Sequence, residues 1–438
     1  MTIRRFFLAF GIVCLFTGGS AQAQPVRWAD FDPFVVPLAG EDGSELLVQT
    51  DGSLNRLELV TEKGSRLLDS RGGGLYALDL SHEELVGGYK APDRQNFVGF
   101  LDLYVGETRI SRFNMFIGIL DDSIPIAPVT RIAADAQASG HVLNLFRPRA
   151  DPQRPDVVEV AKAFYRYYQD AADFLAVASV PATNVNRTYN AISNKVKGIG
   201  FPLFNVSRTY GSRKLQGYIR VPIIVGLLDL AGSGISHEIG HRWINYLDVP
   251  ELQGVRPHWP VSTLARSVMG WQLPPNFQGL QFPWQIVPVG NDEYRLEIGE
   301  PERRFHDIDL YLMGLVGLDE TGEHLVFKDQ GQAICNRCIL GGPTDSFGVQ
   351  DIIARYGVRK PDSRTSQRQF RLASIVVSTR RPLNANEFAY VEFFAARGES
   401  REPLHFAAGF SSGITLPFFL ATGGRATLQT QLPPRRRR

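Results

Sequence analysis

Two histidines four residues apart, His237 and His241, bracket Glu238 in the segment Gly234-Ile-Ser-His-Glu-Ile-Gly-His-Arg-Trp-Ile-Asn-Tyr-Leu247. At 3.6 residues per turn, positions four apart share one face of a helix. Ile235, Ile239, Trp243, Tyr246 and Leu247 gather on the opposite face. Any fold this chain adopts must therefore bury one side of a helix and leave two imidazoles, one turn apart, on the other. Ala231 to Gly234 break the chain before the helix, Ser233 or Ser236 is placed to cap it, and Pro250 stops it, so the spacing predicts a helix running to about Leu247. Glu238 lies roughly 100° round from His237, beside the imidazole line and not on it.

The rest of the chain divides by pattern. Residues 1–23 read as an export signal: Arg4 and Arg5, an apolar run from Phe6 to Phe16, and the small-residue site Ala21-Gln-Ala23. The expectation is a secreted or periplasmic protein without membrane insertion, since no later stretch reaches the ~18 apolar residues of a span. Residues 24–146 alternate short apolar runs with Gly, Asp and Asn, as in Glu45–Gln49, Phe97–Tyr104 and Phe113–Leu120, which predicts a β-rich, sandwich-like N-terminal domain. A polar, proline-bearing linker, Arg147 to Pro155, follows.

Residues 156–320 read as an α/β domain. Val157, Val160, Ala161, Phe164, Tyr168 and Ala171 keep helical spacing and lead into the strand Phe174–Val180. Tyr218–Val225 reads as a further strand and Phe282–Val287 with Tyr294–Ile298 as a hairpin. A helix from Asp307 to Gly314 closes the block. Residues 321–438 alternate helices (349–356, 386–396) with the strand Phe370–Val377, a mixed α/β C-terminal region. The fold class is thus α+β and multidomain.

Composition narrows the function. A formal net charge of +2 argues against a dedicated nucleic-acid binder, and the basic run Arg435–Arg438 reads as a solvated tail. Outside the signal only Cys335 and Cys338 remain, too few for a disulfide-stapled scaffold but suited to one local disulfide.

The paired imidazoles point to a metal, and Zn2+ suits them. Zinc held by three protein ligands keeps a fourth position for water, and Glu238 is placed as general base. A third ligand must come from elsewhere, because Ile244 and Leu247 stand where the short metzincin pattern has Gly and His. Asp248, Glu251, His258, His306 and Asp309 are the downstream candidates, with His258 favoured and Asp309 next. After His258 comes Trp259, and Ser267-Val-Met-Gly270 follows about a dozen residues on.

Together with the His237–His241 motif, these segments resemble leishmanolysin-type metzincins, in which an insertion separates the paired histidines from a third His that precedes a methionine-bearing turn. The resemblance covers about Val157 to Leu315. It implies a metzincin-like zinc metallopeptidase domain with His237, His241 and His258 as metal ligands, Glu238 as catalytic base and Met269 as hydrophobic floor. Trp271 stands where some metzincins place a Tyr, so the resemblance names no oxyanion stabiliser beyond the metal. The implied activity is endopeptidase cleavage of an extended polypeptide paired with an edge strand, for which Tyr218–Val225 is the expected one. Two other classes stay open: an inactive binding or adhesion protein that keeps the fold, and a zinc amidase acting on a non-protein substrate.

Overall fold

The computed structural model describes residues 25–183, 187–222, 233–244, 246–270, 284–298, 304–405 and 414–433. The segment read as an export signal, the basic tail, Trp271 and the outer parts of the strands expected over Tyr218–Val225 and Phe282–Val287 lie outside the described residues. Among those described, no helix is long and apolar enough to cross a membrane.

The chain is a mixed α+β protein, richer in strand than in helix and built on several sheets. The N-terminal part forms two sheets. One pairs Val26–Asp32, Ser44–Thr50, Leu75–Leu80 and Asp69–Gly72. The other pairs Val35–Pro37, Thr108–Leu120, Gln95–Val105, Arg56–Thr61 and Gly64–Leu67. Their buried side chains, including Phe31, Leu46 and Val48 from the first and Leu59, Leu101 and Ile117 from the second, belong to one hydrophobic cluster.

The central sheet positions the site. Its order is Thr130–Ala133, Ala136–Ala138, Val142–Phe146, Gln369–Ser378, Phe174–Val180, Gly217–Val221 and Thr188–Ala191. The four strands from Val142–Phe146 to Gly217–Val221 run parallel, and Thr188–Ala191 pairs antiparallel at the end. Both faces are covered, as a parallel core demands. Leu143, Leu175, Val177 and Ile375 pack with Ala161 and Phe164 of the helix Val157–Tyr167 on one face. Phe174, Ala176, Ile219 and Leu372 point to the other face and share a cluster with Ile235, Ile239 and Trp243 of the motif segment. Successive residues of each strand alternate between the two clusters, as the period of two requires.

This sheet corrects two expected boundaries. The β-rich N-terminal domain expected over residues 24–146 ends earlier, because Val142–Phe146 pairs with Gln369–Ser378 in the central sheet. The C-terminal region 321–438 is likewise not separate, because Gln369–Ser378 is inserted between Val142–Phe146 and Phe174–Val180. Its run of eight consecutive buried or half-buried residues from Phe370 to Val377 fits a strand covered on both faces. A third correction concerns the edge. Gly217–Val221 is flanked on both sides, so it has no free edge to offer; the end strand is Thr188–Ala191.

The N-terminal sheets are tied to the rest through buried polar contacts. Glu387, fully buried, accepts from Arg381 Nη1 at 2.6 Å and Nη2 at 2.8 Å and from the Phe34 amide at 3.2 Å. Asp30 accepts from the Ala182 amide at 2.7 Å, and burial pushes its carboxyl up to about 8. Farther along, Cys335 and Cys338 are joined in a disulfide.

Candidate metal centre

The regular motif helix spans Ser233–Gly240, shorter than the spacing predicts. Beyond His241 the bonding shortens, with Arg242 N donating to Ile239 O at 3.0 Å and Trp243 N to Gly240 O at 3.0 Å. The cause is local. Tyr246 stacks on Phe201, with ring centroids 3.7 Å apart, and its hydroxyl donates to the His241 carbonyl at 2.6 Å, satisfying a terminal acceptor that another turn would otherwise take. Ser236 is no cap: it lies inside the helix, and its hydroxyl is buried without a hydrogen-bond partner among the described residues. Ile244 is fully buried and does not take the left-handed backbone that a Gly there would favour.

Three imidazoles converge. His237 Nε2 lies 3.1 Å from His258 Nε2 and 3.1 Å from His241 Nε2. His237 Nδ1 lies 2.8 Å from the Val268 carbonyl, which can only accept, so Nδ1 carries the proton and Nε2 presents a lone pair. One in-plane lone pair cannot serve two N–H donors, but three lone pairs can serve one cation. Ligand nitrogens about 2.0–2.1 Å from a tetrahedral zinc stand about 3.3 Å apart, close to the spacing seen. The donor set therefore fits Zn2+, and the Val268 carbonyl is the outer partner that fixes the tautomer. Burial lowers the His237 imidazole to about 3 and His241 well below its ordinary value, so both stay neutral as metal ligation needs.

His258 reaches the pair on a loop held at several points. Trp259 N donates to Gly270 O at 3.2 Å, and the Trp259 indole N–H donates to Asp309 Oδ1 at 2.9 Å. Asp309 is fully buried, and burial raises its carboxyl above the ordinary range. Its second oxygen accepts the His306 amide at 3.1 Å. Asp309 is thus not in the imidazole cluster but orients its neighbours. Of the other ligand candidates, Asp248 is exposed and pairs with Arg256 at 2.9 Å, Glu251 sits in the short helix Pro250–Leu252, and His306 belongs to a different cluster with Asp307 and His324.

Ser267 to Gly270 form a tight turn beneath the helix. Gly270 N donates to Ser267 O at 3.2 Å, Met269 N to Ser267 Oγ at 3.1 Å, and Gly270 has φ of 65°, the left-handed region that favours glycine. Met269 is 1% exposed, and its sulfur lies against Gly240, between the two helix histidines. A Cβ on Gly240 would come within 2.5 Å of Met269 Sδ and 2.9 Å of Phe305 Cε1. Gly240→Ala should therefore destabilise the protein by about 1–3 kcal/mol despite the better helix propensity of Ala. Urea unfolding checks this, and an unchanged midpoint would show that Met269 is not fixed against the helix.

Glu238 is buried beside the imidazoles, and its Oε1 accepts from Arg187 Nε at 3.1 Å. Arg187 immediately precedes the end strand Thr188–Ala191, and the motif helix packs against that strand. Sequence reasoning missed Arg187, because a lone arginine fifty residues from the motif carries no spacing signal. A scan against models of known protein families, a search of curated proteins and a search of solved structures each found no match.

Proposed function

We propose that this chain is an exported, zinc-dependent endopeptidase of metzincin-like design. One observation carries the reading: three imidazole nitrogens turned towards one point, with the carboxylate of Glu238 on the adjacent helix position. A zinc ion held there supplies Lewis acidity, polarising a substrate carbonyl and making an attacking water more acidic. The remaining work falls to the chain. Glu238 takes the proton of the attacking water and returns it to the leaving amine. Arg187 holds the Glu238 carboxylate oriented.

An extended polypeptide suits the end strand Thr188–Ala191, whose outer edge is not paired in the central sheet among the described residues and which adjoins the motif helix. Main-chain hydrogen bonds along such an edge bind peptides with little demand on side-chain identity. The turn carrying Met269 and the loop carrying His258 support a leishmanolysin-like arrangement. Dialysis against a strong chelator should abolish cleavage of an unstructured protein such as casein, and Zn2+ alone should restore it. Bound zinc without casein cleavage would move the protein to an amidase or other hydrolase, and absence of both would make it a binding protein.

A further inference from the structure

We propose that His306, Asp307 and His324 form a second divalent-metal site, of the nitrogen- and oxygen-donor type that zinc fits, which fastens the wall carrying His258. Their donor atoms all lie within 4.8 Å of one another. His306 Nδ1 and His324 Nε2 both point at one atom, Asp307 Oδ1, the first in close contact and the second at 2.9 Å. The two rings stand nearly at right angles with centroids 4.2 Å apart, much as the His237 and His241 rings stand at 87° and 4.7 Å.

The far atoms of the cluster are already engaged. Asp307 Oδ2 accepts the Gly322 amide at 2.6 Å, and His324 Nδ1 lies 3.4 Å from Thr263 Oγ1. With a cation at Nε2, the Nδ1–H donates to that hydroxyl, the outer partner that fixes a ligating imidazole. Two imidazoles and one carboxylate are a zinc-type donor set of three. The His306 and Asp307 side chains keep 20% and 23% of their surface exposed, so water can complete the coordination.

The position says what such an ion would do. His306 and Asp307 open the helix Asp307–Met313, whose Asp309 holds Trp259. His324 opens the strand His324–Phe327, where Leu325 N donates to Thr263 Oγ1 at 3.1 Å and Phe327 N to Val261 O at 3.0 Å. An ion joining these two segments fastens both sides of the loop that follows His258. The rival is a metal-free triad in which both imidazoles donate to the carboxylate.

Stripping the full chain with a chelator, titrating with Zn2+ alone and counting bound zinc after gel filtration separates the two. Asp307→Asn keeps the side-chain shape, and His324→Ala removes an imidazole. Each should bind one zinc fewer than the parent chain, with affinity at that site down by more than about 100-fold, since losing even an outer partner costs about 10- to 100-fold. If His324→Ala does not fold, Asp307→Asn decides alone. Zinc binding by Asp307→Asn equal to that of the parent chain overturns the proposal. The site does not rest on the hydrolytic reading: failure of the His237 centre would appear as undiminished zinc in His258→Ala, whatever Asp307→Asn does.

Discussion

Glu238→Ala should keep its zinc and lose casein cleavage by about 10²- to 10⁴-fold, the usual contribution of a general base. The separation follows from placement. His237, His241 and His258 turn their Nε2 atoms towards one another, whereas the Glu238 carboxylate is held off by Arg187 at 3.1 Å. Removing it leaves the donor set whole and takes away the proton acceptor. Zinc content by mass spectrometry and turnover on casein, measured on the same preparation, check both halves. Undiminished turnover would end the proposed mechanism, and loss of zinc alongside activity would make Glu238 a ligand.

The second large effect distinguishes the third ligand from its nearest competitor. His258→Ala should lower zinc occupancy strongly at neutral pH, because a two-histidine helix is left with no other donor in its cluster among the described residues. Asp309→Asn should instead lower the melting temperature and retain zinc in the folded protein. Its carboxylate accepts the Trp259 indole and the His306 amide. An amide can replace only part of that acceptor set, and each buried donor left unpaired costs about 1–3 kcal/mol. Zinc retained by His258→Ala and lost by Asp309→Asn would remove the leishmanolysin-like reading while leaving the paired histidines of the helix standing.

What the sequence made legible was local. The motif helix, the helix Val157–Tyr167 and strands such as Phe174–Val180 announce themselves in periodicity, since each buries a face whose spacing is written in consecutive residues. The end of the motif helix was not legible, because it depends on Tyr246 meeting Phe201, a contact across 45 residues. Sheet order was hidden for the same reason. Nothing in Gln369–Ser378 says that its neighbours are Val142–Phe146 and Phe174–Val180; that register is decided by packing on both faces. The edge strand Thr188–Ala191 has only four residues, none of them fully buried, and so leaves no apolar run to read. At the site, the ligand pair and Glu238 follow from one helix, whereas Arg187 and the His306–Asp307–His324 cluster arise only when distant segments are folded together.

The most direct test of the central claim is a crystallographic anomalous-difference map recorded on either side of the zinc absorption edge. The account predicts a peak about 2.0–2.1 Å from the Nε2 atoms of His237, His241 and His258, present above the edge and absent below it. Crystals of zinc-loaded protein with no such peak among these three imidazoles would contradict it.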